Sequence, residues 1–362
     1  MMGMRLLLVT DAVGGVWVYS LELGRWLQRL GIETILVVVG PSPSAAQLEQ
    51  SSGFELVDSH LPLEWLDSSP SEIRRAGQAI AAIADREGAD IVQVSSAALL
   101  ADANFSQPVI AVQHSCVASW WAAVKGTPLP PDFAWQRDLA EAGLQRASAI
   151  VAPSIAFAAE TSRIYDLPIL AVHNGRRITT HRGDIPQGDF AFTASRLWDE
   201  GKNAATLDRI AALLDMPFQA AGPASGPNGA AVRVDNLQLL GELGGARMQG
   251  LLAARPIYVS AALYEPFGLA ALEAAQAGSA LVLSDIPTHR EIWGNAALYV
   301  PARDAAGFAA SIEQVMSNPD ERQRLGDQAR ERAALYTPER MADDMAAVYA
   351  RVAAPAELAG AA

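Results

Sequence analysis

From Arg5 onward, short apolar runs alternate with helix-like stretches, and this alternation constrains the fold more than any other feature of the chain. Arg5 to Thr10 reads as a buried strand, with Asp11-Ala-Val-Gly14-Gly15 as the turn after it. A helix follows, carrying Val16, Leu21, Leu23, Trp26, Leu27 and Leu30 and ending at Gly31, and Ile32 to Val39 is the next strand. The pattern continues with a strand at Phe54 to Val57 and a helix over Ser71 to Glu87. Further strands follow at Ile91 to Val94, Val109 to Val112, Ala149 to Ala152 and Ile169 to Val172. Strands that alternate with helices predict parallel sheets covered on both faces. Residues 176–188 are polar and turn-rich and read as a linker, after which the alternation restarts at Phe190 to Ala194. The chain is therefore expected to form two doubly wound α/β domains, 1–175 and 189–337. The last helix, 338–352, is assigned to the first domain, and 353–362 is an Ala/Gly/Pro-rich tail expected to fray.

A length of 362 residues suffices for two cores of ordinary size. With 51% hydrophobic and 19% charged residues, the composition is that of a water-soluble globular protein. The formal net charge is −13 and neither half is basic, which argues against nucleic acid and against docking on anionic lipid. No apolar run reaches membrane-spanning length, and the N-terminal one is too short for a signal peptide. The single cysteine, Cys116, permits no internal disulfide, so a reducing, cytoplasmic setting is expected. Cys116 lies two residues after His114, but Ser-Cys after an apolar run reads as packing rather than as a nucleophile. Lysine occurs only at positions 125 and 202, against 25 arginines.

Ser260 to Pro287 carries the densest chemistry. Glu265 sits where a strand leaves off, Pro266 lies near a helix start, and Phe267 to Ala277 is rich in helix formers before Gly278 stops it. Glu273 falls inside that helix. Eight residues at ~1.5 Å each separate the two carboxylates by roughly 12 Å, with the unpaired N–H groups of a helix N-terminus between them. A solvated helix face would carry the same two glutamates. In Ser195-Arg196-Leu-Trp-Asp-Glu-Gly-Lys202-Asn203, Arg196 leaves a strand and Lys202 opens a helix, a pair suited to a diphosphate. Gly14-Gly15 lies where ligands of parallel sheets bind, yet it lacks the G-x-G-x-x-G dinucleotide fingerprint. His114 ends the Val109 strand on the same side of the sheet.

Together, Gly14-Gly15, His114, Arg196/Lys202 and the Glu265-Pro-Phe-Gly-Leu…Glu273 string resemble the retaining glycosyltransferases of family 4, whose signature is E-x7-E. The resemblance covers essentially the whole chain. It implies a GT-B fold, two Rossmann-like domains facing each other across a cleft, with an acceptor domain first and a nucleotide-sugar donor domain second. It also implies the roles of the residues. Gly14 and Gly15 approach the donor phosphates, and His114 contacts the transferred sugar. Arg196 and Lys202 stabilise the leaving diphosphate. Glu265 holds sugar hydroxyls, Glu273 the ribose, and the backbone of Phe267, Gly268 and Leu269 the sugar or phosphates. Trp17, Trp120 and Trp121 are candidate platforms for a small-molecule or glycan acceptor, aromatic faces being suited to sugars.

No cofactor is expected, the donor being a UDP-, GDP-, ADP- or dTDP-sugar. The sequence contains no Asp-x-Asp, so transfer without a metal is expected. A carboxylate spacing of ~12 Å does not fit the ~5 Å pair of retaining glycosidases. A nucleotide-sugar epimerase or phosphorylase, and a non-catalytic sugar-nucleotide sensor, remain as alternatives on the same fold. Asp285 is expected to cap the helix that follows it.

Overall fold

The computed structural model describes residues 3–66, 68–178 and 185–354. The linker positions 179–184 and the tail positions 355–362 lie outside the described residues. The chain divides into two compact units. The first takes the chain up to Ala122, then Gly126–Gly175, and again from Pro338; the second is Arg176–Thr337 with Ala123–Lys125.

In the first unit, strands β1 (Arg5–Asp11), β2 (Glu33–Val39), β3 (Glu55–Asp58), β4 (Ile91–Val94), β5 (Val109–Val112), β6 (Ala149–Ala152) and β7 (Leu170–Ala171) form one sheet. Its order is β3-β2-β1-β4-β5-β6-β7, and every pairing is parallel. The helices between them are α1 (Gly15–Arg29), α2 (Ala45–Gln50), α3 (Pro70–Arg86), α4 (Val117–Lys125), α5 (Ala134–Arg146) and α6 (Ile155–Tyr165). β1 is buried almost throughout, because a parallel sheet with helices on both faces has no wet side. One face packs on α3 and α5 through Ile73, Ile80, Leu139 and Leu144. The other packs on α1, through Leu23 and Leu27, and on α13 (Pro338–Ala353), through Met341, Met345 and Tyr349.

The second unit repeats the scheme. Strands β8 (Ala191–Ala194), β9 (Phe218–Ala221), β10 (Gln238–Gly241), β11 (Ile257–Ser260), β12 (Leu281–Ser284) and β13 (Leu298–Val300) form a parallel sheet of order β10-β9-β8-β11-β12-β13. Its helices are α7 (Ala204–Ala211), α8 (Gly245–Ala253), α9 (Leu269–Ala277), α10 (Pro287–Trp293), α11 (Ala305–Ser317) and α12 (Pro319–Ala333). α7 and α11 cover one face and α9 and α12 the other. α9 and α12 approach closely: a Cβ on Gly326 would fall 2.2 Å from the Gly278 carbonyl oxygen.

Both sheets reverse direction of growth once, between β1 and β4 and between β8 and β11. The carboxyl ends of strands at such a switch point are where ligands bind in open α/β sheets. β1 leads into Gly14-Gly15, β8 into Arg196, and β11 into Glu265.

Three expectations change. The helix after Glu265 begins at Leu269, not Phe267, because Gly268 at φ +94° is its N-cap in the left-handed region. Glu265 is therefore on a loop, and helical rise does not set its distance from Glu273. Asp285 does not cap α10, whose N-cap is Ile286. Its carboxylate instead takes both Nε (2.7 Å) and a terminal nitrogen (2.8 Å) of Arg290. Trp17 is only 2% exposed and its indole N–H donates to Gln50 Oε1, so its ring faces are core surface and not an acceptor platform.

Candidate active site

The second unit assembles its polar residues by a sequence of loop contacts. After β8, Asp199 caps a single 3-10 turn, Glu200–Lys202, by accepting from Gly201 N–H at 2.9 Å. Its other oxygen meets the Arg196 guanidinium at 3.2 Å, and the same guanidinium lies 5.4 Å from the Trp198 ring centre. Asn203 then adopts φ +57° and donates to the carbonyls of Ala261 and Ala302, at 2.9 and 2.7 Å. The Gly201 carbonyl accepts from Leu263 and Tyr264. These bonds hold the loop after β8 against the loop after β11, and so bring Lys202 Nζ to 2.7 Å from Glu265 Oε2. The two side chains are 14% and 19% exposed.

α10 supports the pair from below. Thr288 Oγ1 donates to the Glu265 carbonyl at 2.6 Å. His289 is fully buried, its Nδ1 2.9 Å from the Ser284 carbonyl, so the neutral ring carries its proton there. Burial holds its pKa below the ordinary value, and the ring lies in the fields of Glu265 and Lys202. Tyr258, on β11, is also buried. Burial first, then the negative charges of Glu265 and Glu273, pushes its phenol far above the usual range. One side chain thus feels both glutamates of the E-x7-E string.

Glu273, on α9, is engaged by Arg176 at 2.7 Å. Gln276, one turn further, accepts from Ile178 N–H and donates to the Arg176 carbonyl. Residues 176–178 are thereby fastened to α9. The N-terminus of α9 has no side-chain cap and no acidic residue in its first turn, leaving its N–H groups for an anion. Phe267 is buried edge-to-face against Tyr336, so only its backbone is on offer.

In the first unit, Gly14 has φ +88° and begins α1, again without a side-chain cap. Both glycines of the pair are exposed. His114 lies two residues beyond β5, half-buried, with its ring 4.4 Å from that of Tyr19 in a 68° edge-to-face contact. Burial pushes its pKa down to about 4, which keeps the imidazole neutral. Trp120 and Trp121, on α4, are half-buried and 6.1 Å apart, edge-to-face. Cys116 is the N-cap of α4, accepting from Ser119 N–H.

The structure therefore joins Lys202 to Glu265 directly and links Arg196 to Lys202 through Asp199. Asp199, Thr288, His289, Tyr258, Tyr19 and Arg176 escaped the sequence reading. Of these, Asp199 alone carried a local signal, as an acidic residue two before a glycine inside the Arg196–Lys202 string. Among the described residues, no three of His, Cys, Asp and Glu cluster as metal ligands, and no helix is long and apolar enough to cross a membrane.

Comparison with known proteins bears on the family and the fold. The model of Glycosyltransferase Family 4 matches residues 13–179, and that of Glycosyl transferases group 1 matches residues 232–332. Sucrose-phosphate synthase from Thermosynechococcus elongatus superposes with a TM-score of 0.75 at 17% identity, covering 96% of this chain and 99% of that one. HepE of Anabaena, in complex with UDP and glucose, gives 0.72 at 14% identity, covering 96% and 99%. The fold is GT-B. Glycogen synthase of Mycobacterium tuberculosis is 39% identical over 97 residues, 26% of this chain and 23% of that protein, so the match spans about a quarter of the relative's length. The chain belongs to the group 1 glycosyltransferases.

Proposed function

We propose that this protein transfers a hexosyl group from a nucleoside-diphosphate sugar to an acceptor hydroxyl, with retention at the anomeric carbon. The observation that carries the reading is the Lys202–Glu265 pair at the switch point of the second sheet, with Arg196 tied to the same loop. Breaking the bond between the anomeric carbon and the phosphate oxygen leaves growing negative charge on the diphosphate. An ammonium and a guanidinium already fixed in place stabilise that charge without reorganisation and without a metal. The uncapped start of α9 adds backbone N–H donors beside them.

Glu265, tethered through its carbonyl to Thr288, accepts from sugar hydroxyls, and Glu273 from the ribose. His114, held neutral, contacts the transferred sugar as a hydrogen-bonding group and not as a cation. The acceptor oxygen attacks the face the diphosphate leaves from and passes its proton to the departing phosphate oxygen. Trp120 and Trp121 are the proposed acceptor platform. The complexes of HepE with UDP and with UDP-glucose make those the first probes.

The test is a thermal-shift panel with UDP, GDP, ADP, dTDP and NAD on wild type and Lys202→Ala. A ligand at a hundred times its Kd adds about 2.7 kcal/mol, a shift of several degrees. One diphosphate that stabilises wild type and not the variant, followed by turnover of the matching sugar nucleotide, supports the reading. Stabilisation by NAD alone, or by no nucleotide, refutes it.

A further inference from the structure

Within the first unit, a polar side chain stands where the fold calls for an apolar one. Along β4, Val92 and Val94 join the core under α3 and α5, while Ile91 joins the core under α1 and α13. Alternation places Gln93 on the α1/α13 side, among Leu6, Leu8, Ile110 and Val112, with no exposure at all. A buried amide is tolerated only when both of its ends are paired. Here Tyr349 of α13 donates its hydroxyl to Gln93 Oε1, and Gln93 Nε2 donates to the Tyr19 hydroxyl at 3.3 Å. Each end of the Gln93 amide thus meets one phenol, and a phenol can donate or accept, so the one side chain ties Tyr349 to Tyr19.

Tyr19 has a second contact, through its ring. Its ring meets the His114 imidazole edge-to-face at 4.4 Å. His114 Nε2 is buried and has no hydrogen-bond partner among the described residues. A hydrogen bond at that nitrogen therefore does not hold the plane of the ring, whereas the edge-to-face contact with Tyr19 bears on it directly.

We propose that Tyr19 is a positioning residue for His114, and that the last helix of the chain takes part in the site through the buried relay Tyr349–Gln93–Tyr19. Four elements, α13, β4, α1 and the end of β5, then converge on one imidazole. The effect on turnover rests on the reading of His114 as a sugar contact; the relay itself does not.

The experiment uses the full chain with ¹³C-labelled histidine, the His114 signal being assigned with His114→Gln. Tyr19→Leu removes the ring and Tyr349→Phe removes a single hydroxyl at the far end of the relay, a change mild enough to leave the fold intact. The relay requires the His114 ring signals to move in both variants while those of His60 and His289 stay. Signals that stay in place in Tyr349→Phe overturn the relay, and signals that stay in Tyr19→Leu overturn the positioning contact. This readout needs no donor, so it stands or falls separately from the transferase reading. With UDP-glucose as the probe, Tyr19→Leu is expected to lower kcat more than tenfold at unchanged donor KM, and Tyr19→Phe by about fivefold, the loss of one neutral hydrogen bond. An unchanged kcat in Tyr19→Leu, with His114→Gln inactive, also overturns the proposal.

Discussion

Replacing Lys202 by Met keeps the side-chain stem and removes the ammonium, leaving the Glu265 carboxylate charged, four-fifths buried and without its cation. Removing one partner of a fully buried pair costs about 3–5 kcal/mol, whereas an exposed pair is worth less than about 1 kcal/mol. The residual exposure of Lys202 and Glu265 places this pair between those limits, at about 2 kcal/mol. In a unit of this size that lowers the melting temperature by roughly 4–8 °C. Glu265→Gln is expected to cost a similar amount, since it strands the cation instead. The double variant strands neither charge, and should be more stable than the sum of the single losses by about 1–2 kcal/mol. Urea unfolding of the four proteins, with UDP titrated onto each, measures both effects. Strict additivity of the two substitutions would show that the 2.7 Å contact carries no energy. UDP binding to Lys202→Met at wild-type affinity would remove Lys202 from the diphosphate site.

Other perturbations separate the structural from the catalytic roles. Gly222 has φ +119° and a Cβ there would fall 1.8 Å from the Ser195 carbonyl oxygen, so Gly222→Ala should cost ~3 kcal/mol or more, read as a lowered urea midpoint. Asp285→Asn breaks an exposed bidentate pair with Arg290 and should change stability by less than ~1 kcal/mol in the same assay. His114 titrates at about 4 when folded and near 6.5 when unfolded, so below 6.5 the unfolded chain takes up a proton that the folded chain refuses. Stability is then complete above pH 6.5 and falls towards pH 4, with His289 acting in the same direction; the partial exposure of His114 keeps its share below the roughly 3 kcal/mol of the full shift. His114→Asn should flatten that slope, and an unchanged slope counts against its burial as the cause.

Strand and helix positions were legible because buried parallel strands are short unbroken apolar runs, and glycines mark where they turn. Arg196, Lys202, Glu265 and Glu273 drew attention through the motif strings that resemble the family, and the structure brings Lys202 against Glu265 and ties Arg196 to the same loop. What stayed hidden was whatever depends on three-dimensional return of the chain. Nothing near Tyr19 or Gln93 announces that Tyr349, 256 residues after Gln93, will meet them. Thr288 and His289 follow an unremarkable proline, and only the packing of α10 behind Glu265 gives them a role. Trp17 shows the converse: in sequence an indole beside a glycine loop reads as surface, and the helical phase of α1 turns it inward. For Asp285, local cap chemistry lost to a guanidinium five residues on.

The return of α13 to the first sheet also bears on how the polypeptide is made. One face of that sheet is completed by Met341, Met345 and Tyr349, which leave the ribosome only after the whole of the second unit. At 5–20 residues per second, the strands of the first unit wait roughly 10–30 s with the apolar side of α1 and β1 uncovered. During that interval the nascent chain presents a sticky surface to chaperones and to neighbouring nascent chains. A stop codon before Met341 would make the exposure permanent, turning a product that lacks under a tenth of its length into a substrate for proteolysis.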